Sequence, residues 1–99
     1  MLDKYKVWYK KFWDRSEAET QEWAFVKEIE AKSLEDVFHR MQGENWSPNG
    51  EARNLLSSLG IQHTSMSVGD FIENRYGQFY RVEPYSFELY NKLPCERVR

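Results

Sequence analysis

The chain predicts an α+β fold in two layers: an antiparallel sheet, ordered ββααβββ along the sequence, with two short helices on one face. Three observations carry that expectation. Aromatic and β-branched runs, KYKVWYK and WAFVKEIEA, lie in the first third. Two helical stripes ending in glycine fill the middle, and NRYG separates two short apolar runs near the end, as a hairpin turn would.

Residues Tyr5 to Lys10 interleave rings and valine with lysine, which suits a strand with one wet face. Tyr5, Val7 and Tyr9 share one face, whereas Trp8 and Phe12 fall with the lysines and need a second explanation. Residues 14–21 hold a single apolar side chain, Ala18, and read as a loop or a frayed helical turn. A second strand is expected from Trp23 to Ala31, with Trp23, Phe25, Ile29 and Ala31 on one face and Lys27 its only break. A medium loop makes antiparallel pairing the simplest arrangement of the two.

Ser33 and Asp36 resemble a capping box, and Leu34, Val37, Phe38 and Met41 follow as one helical stripe. The spacing predicts a helix over 33–42, stopped by a left-handed Gly43, with His39 in solvent. Residues 44–46 read as a connection. Ser47-Pro48 supplies an N-cap and an N1 proline for a second helix, although Gly50 in its first turn moves the start toward Asn49. Ala52, Leu55, Leu56 and Leu59 form its stripe and Gly60 closes it. Strands at 71–73 and 78–82 flank Asn74-Arg75-Tyr76-Gly77, with Gly77 at positive φ. After Pro84, Tyr85, Phe87 and Leu89 alternate with Ser86, Glu88 and Tyr90, as on an edge strand.

With 99 residues and no long linker, one domain is expected, with 92–99 a flexible tail. Aromatic residues make up 16% of the chain, and large rings offset the poor surface-to-volume ratio of a small core. A 30% charged fraction and a mean hydropathy of -0.82 predict solubility. No apolar run approaches the roughly 20 residues that span a bilayer, and no apolar stretch follows the N-terminal lysines as in a signal peptide. The single cysteine, Cys95, has no internal disulfide partner, so a reducing cytoplasm is the expected location. Net charge is -2, yet it is segregated: residues 4–11 carry only positive charge and the charges in 17–36 are mostly acidic. That pattern fits either an oriented contact with a charged partner or simple solubility.

The densest chemistry lies in HTSMSVGD, residues 63–70. A nucleophilic site needs a base within about 3 Å of its nucleophile, a group orienting that base, and an oxyanion donor. His63, Ser65 or Ser67, and Asp70 have the right types. On an extended backbone, however, His63 and Ser65 lie two residues apart along one face, poorly placed for that bond. A turn explains more of the same residues. Met66 and Val68 would face the helices, and Thr64, Ser65 and Ser67 would bond local backbone. Gly69 would permit a bend, Asp70 would accept backbone N–H groups, and His63 would bond a carbonyl or stack on a ring. No catalytic residue, and hence no enzyme, is expected. Two histidines and one cysteine show no zinc spacing, and neither a calcium loop nor a glycine-rich phosphate cradle is present, so no metal or cofactor is expected.

The run from the aromatic first strands through Ser33-Leu34-Glu35-Asp36 and Trp46-Ser47-Pro48-Asn49 to this octapeptide and Phe79-Tyr80-Arg81-Val82 resembles a known group. These are small uncharacterised phage, plasmid and prokaryotic proteins with an H-x-S-M-S-V-G-D signature, and more distantly YodL-like domains of mobile elements. The likeness spans about residues 5–90. Such proteins usually carry a glycine before the last phenylalanine, where this chain has Ser86-Phe87. The resemblance implies a phage or mobile-element context and no reaction, cofactor or catalytic residue.

The leading expectation is therefore a small non-enzymatic interaction protein, modulating a host protein through rings at Trp8, Phe12, Trp13 and Trp46. Self-association into a homodimer is an open alternative. From another class comes a single-stranded nucleic-acid binder using Lys4, Lys6, Lys10 and Lys11 beside exposed rings. The negative net charge and the glutamate-rich second strand argue against it.

Overall fold

The computed structural model describes residues 2–10, 23–61 and 63–90. Its elements are β1 (Asp3–Lys10), β2 (Trp23–Ala31), α1 (Leu34–Arg40), α2 (Gly43–Trp46), α3 (Arg53–Ser58), β3 (Phe71–Glu73), β4 (Phe79–Val82) and β5 (Phe87–Tyr90). The strands form one sheet in the order β2-β1-β3-β4-β5, each neighbouring pair antiparallel. The predicted α+β class holds, with one helical turn more than expected. The loop at 14–21, the tail at 92–99 and Cys95 lie outside the described residues.

Alternation in β1 sends Tyr5, Val7 and Tyr9 to the helix side, where all three are buried. Val26, Ala31, Val37, Met41, Ala52, Leu56, Ile61, Met66, Ile72 and Val82 complete that core. Fully buried aliphatic chains such as Val7 and Ile72 each contribute roughly 1.5–3 kcal/mol.

Strand β2 departs from the expected single face. Val7 pairs with Lys27 but Trp8 pairs with Phe25, so Val26 is an extra residue, a β-bulge. The bulge inverts the pattern on either side of it. Ile29 and Ala31 pair with Tyr5 and Asp3 and belong to the helix-side core, whereas Trp23 pairs with Lys10 on the opposite face. Two apolar layers result, one on each face of the sheet.

The middle of the chain holds further corrections. Ser33 caps α1, its hydroxyl accepting from the Asp36 N–H at 3.2 Å, and His39 is exposed as expected. Gly43 does not stop the helix. It opens α2, donating its N–H to Ser65 Oγ at 2.7 Å, so residues 44–46 are helical rather than a connection. Ser47-Pro48 does not start α3, because Gly50 at φ 83 turns the chain out of helical geometry first. The Ser47 hydroxyl still accepts from the Ala52 N–H at 2.8 Å, next to the first helical residue. Gly60 closes α3 as expected, at φ 77 with its N–H to the Ser57 carbonyl. In the β3–β4 turn, Gly77 has positive φ and Asn74 Oδ1 accepts from the Tyr76 and Gln78 N–H groups. Strand β5 lies at one edge of the sheet and β2 at the other.

Candidate functional site

The octapeptide is a structural seam. Asp70 is 0% exposed, and its carboxylate accepts from the Lys10 N–H (2.7 Å), the Ser67 N–H (2.8 Å) and His63 Nε2 (2.9 Å). One side chain thus ties the end of β1 to a reversal sixty residues later. The imidazole stacks on the Tyr9 ring, centroids 4.7 Å apart and 12° from parallel. The backbone of the segment is committed as well. The Thr64 carbonyl accepts from Tyr9 Oη (2.7 Å) and Trp46 Nε1 (3.0 Å), and the Gly69 carbonyl from Trp23 Nε1 (2.8 Å).

Neither candidate nucleophile is aimed at the imidazole. Ser67 Oγ donates to the Ser65 carbonyl at 3.1 Å, and Ser65 Oγ accepts from Gly43. The structure brings His63 and Asp70 together and turns both hydroxyls elsewhere. Gly69 sits at φ 98 in the bend, as the turn reading required. Met66 is buried, but Val68 is 42% exposed and does not face the helices, because the chain reverses between Ser67 and Asp70. Burial first, and then the Asp70 charge, push the Tyr9 hydroxyl pKa far above its ordinary value, with the bond from Trp46 opposing. It stays a neutral donor.

The candidate interaction rings do not form one surface. Trp8 lies on the sheet face away from the helices, in edge or tilted contact with Phe25 (5.6 Å) and Phe79 (6.0 Å), its Nε1 donating to Glu73 Oε1 at 3.1 Å. Phe71 is fully buried in this second cluster, edge-on to Trp23 and Tyr90. That is the second explanation Trp8 required. Trp46 sits on the helix side, edge-on to Tyr9 with the Lys27 ammonium 5.3 Å above its ring. Phe12, Trp13 and Lys11 lie outside the described residues.

Charge segregation finds a partner inside the molecule. Lys4 pairs across the β1–β2 ladder with Glu30, and Lys6 with Glu28, while Glu73 flanks Lys6 from β3. The basic strand lies between acidic positions of its neighbours, an arrangement that favours this register. Lys10 lies against the turn, close enough that a Cβ on Gly69 would come within 3.1 Å of its Nζ.

An open cleft of about 620 Å³ lies between β2 and the helices. One wall is four consecutive β2 residues, Lys27 to Glu30, and the other includes Asp36, His39, Arg40, Asn45 and Trp46. Four consecutive lining residues on an edge strand bring its backbone to the cleft. Among the described residues no strand pairs with the outer side of β2, so alternate N–H and C=O groups there face away from β1. The Lys32 N–H and Arg40, both bonded to Asp36, hold its carboxyl below the usual range. Sequence reasoning missed this site. Its one signal was Lys27 interrupting an otherwise apolar face, which marks the cation poised over Trp46.

Among the described residues no group of three histidine, cysteine, aspartate or glutamate side chains is placed to hold a metal ion, and no helix is long and apolar enough to cross a membrane. Compared with known protein families, curated proteins and solved structures, the chain matches none.

Proposed function

We propose that this chain is a small non-enzymatic interaction module that receives a partner protein in the cleft between β2 and α1–α2. The observation that carries the reading is the coincidence of a sheet edge that no strand among the described residues pairs with and a concave wall bearing Trp46 and Lys27. Edge strands beside a groove can accept an extended segment, with backbone bonds supplying affinity and side-chain pockets supplying specificity. The octapeptide's role is to hold that wall: its Thr64 carbonyl fixes the Trp46 indole and its Ser65 hydroxyl fixes the start of α2. The resemblance to small phage and plasmid proteins points to a host protein as partner, with a cytoplasmic setting.

A photo-crosslinking amino acid at exposed His39, on the cleft rim, should capture a discrete adduct in cells, whereas one at exposed Asn54 on α3 should not. Equal capture at both positions, or none at 39, overturns the assignment.

The nucleic-acid reading draws on a different surface, where Lys4 and Lys6 share the outer face with Trp8 and with Phe25, which is 44% exposed. The glutamates opposite those lysines weigh against it. A mobility shift with single-stranded oligonucleotides at low salt, abolished by Lys4→Gln with Lys6→Gln, would restore it over the protein partner.

A further inference from the structure

We infer that the cleft's occupant is an extended segment of alternating basic and apolar residues, added antiparallel to the edge of β2 that faces away from β1; this rests on the cleft reading above. Strand β2 presents two chemically different faces. Glu28 and Glu30 are exposed on the outer face, and Lys27 and Ile29 point to the helix side. A strand laid on that edge places its side chains opposite these in alternation. Positions opposite Glu28 and Glu30 call for lysine or arginine, as Lys6 and Lys4 of β1 already provide on the other edge of the same strand. Positions opposite Lys27 and Ile29 enter the cleft toward the partly buried Trp46 ring, where apolar side chains gain most.

The same charges disfavour a second copy of this chain as occupant. Any antiparallel self-pairing of β2 that engages both glutamates sets carboxylate against carboxylate, a destabilising arrangement. Polarity on this edge therefore selects a foreign, basic strand.

The test uses the whole protein and two capped peptides of roughly nine residues, one alternating lysine with valine and one alternating glutamate with valine. Binding is followed by amide chemical shifts of residues 27–31 and by tryptophan fluorescence. The lysine peptide should shift those amides saturably, and the glutamate peptide should bind at least tenfold more weakly. Glu28→Gln with Glu30→Gln should weaken the lysine peptide roughly fivefold to tenfold and leave a folded spectrum. Equal binding of both peptides on β2 overturns the basic partner and leaves the edge reading standing. Binding of neither peptide at β2 overturns both. Because the two peptides are compared on the unmodified chain, the outcome does not depend on the variant folding.

Discussion

Replacing Asp70 by alanine removes three acceptor contacts at once, and the structure allows its cost to be worked out. The carboxylate is fully buried and holds Lys10 N–H, Ser67 N–H and His63 Nε2 within 2.9 Å. Hydrogen bonds to a charged acceptor contribute about 1.5–3 kcal/mol each, but burying the charge costs several kcal/mol, so most of their gross value is offset. What decides the outcome is what stays behind. Two backbone N–H groups are orphaned at about 1–3 kcal/mol apiece. A net loss of about 3–5 kcal/mol follows, comparable with breaking a buried ion pair. Set against the roughly 5–15 kcal/mol that holds a domain folded, this is a large share. At this chain length it corresponds to a fall in melting temperature of roughly 15–30 °C.

Asp70→Asn keeps the shape and one carbonyl oxygen, so about half that loss is expected. Its amide must face a donor, although His63 can change tautomer to meet it. Urea unfolding followed by tryptophan emission measures both variants, with Trp23 reporting directly because its indole is bonded to the neighbouring Gly69 carbonyl. Combining Asp70→Asn with His63→Phe in a double-mutant cycle should return a coupling of about 1–2 kcal/mol. If Asp70→Ala stays within about 0.5 kcal/mol of the parent chain, the seam described above does not organise the fold.

Three further outcomes are expected. Tyr9→Phe should flatten the alkaline limb of the stability profile: the folded hydroxyl is raised above the usual value of about 10, so its stabilisation is complete below that pH and lost as pH climbs beyond it. Unfolding free energies at about pH 8, 10 and 11 would show the difference, and a parallel decline in both proteins would contradict it. Gly69→Ala and Gly77→Ala, at φ 98 and 81, should each cost about 1–2 kcal/mol from the backbone alone, Gly69 the more because its Cβ also crowds Lys10; thermal melts that rank them the other way would count against that packing. Lys6→Glu, opposed by Glu28 and Glu73, should lose about 1 kcal/mol in low salt and recover part of it with added Glu28→Lys; insensitivity to salt would mean the cross-strand charges do not matter.

Local chemistry made much of this fold legible. The alternation of Tyr5, Val7 and Tyr9, the Ser33 cap, the Gly60 stop and the Asn74–Gly77 turn each depend on residues close in sequence, and each was readable. The Val26 bulge was not, because an inserted valine looks like any other apolar strand residue, and with it went the true faces of Trp23 and Phe25. The start of α3 was misread because Ser47-Pro48 carries an N-cap signature that Gly50 overrides. For the octapeptide, the turn reading was legible but its anchor was not: the Lys10 amide that Asp70 accepts lies sixty positions away. The cleft arises only when β2 and α1–α2 meet, and no motif announces it.

The bulge at Val26 has a consequence for how this chain tolerates change. If the ladder ran without the bulge, with Val26 paired opposite Trp8, Trp23 and Phe25 would fall into phase with Ile29 and Ala31. Two large rings would then turn into space now filled by Ala24 and Val26. Phe71 would lose Trp23 and Trp8 would lose Phe25 in the same stroke. Deleting Val26, by contrast, would leave both rings on the outer face. Register here works like a reading frame: whether one residue is looped out or paired decides the side of the sheet on which every upstream ring is delivered.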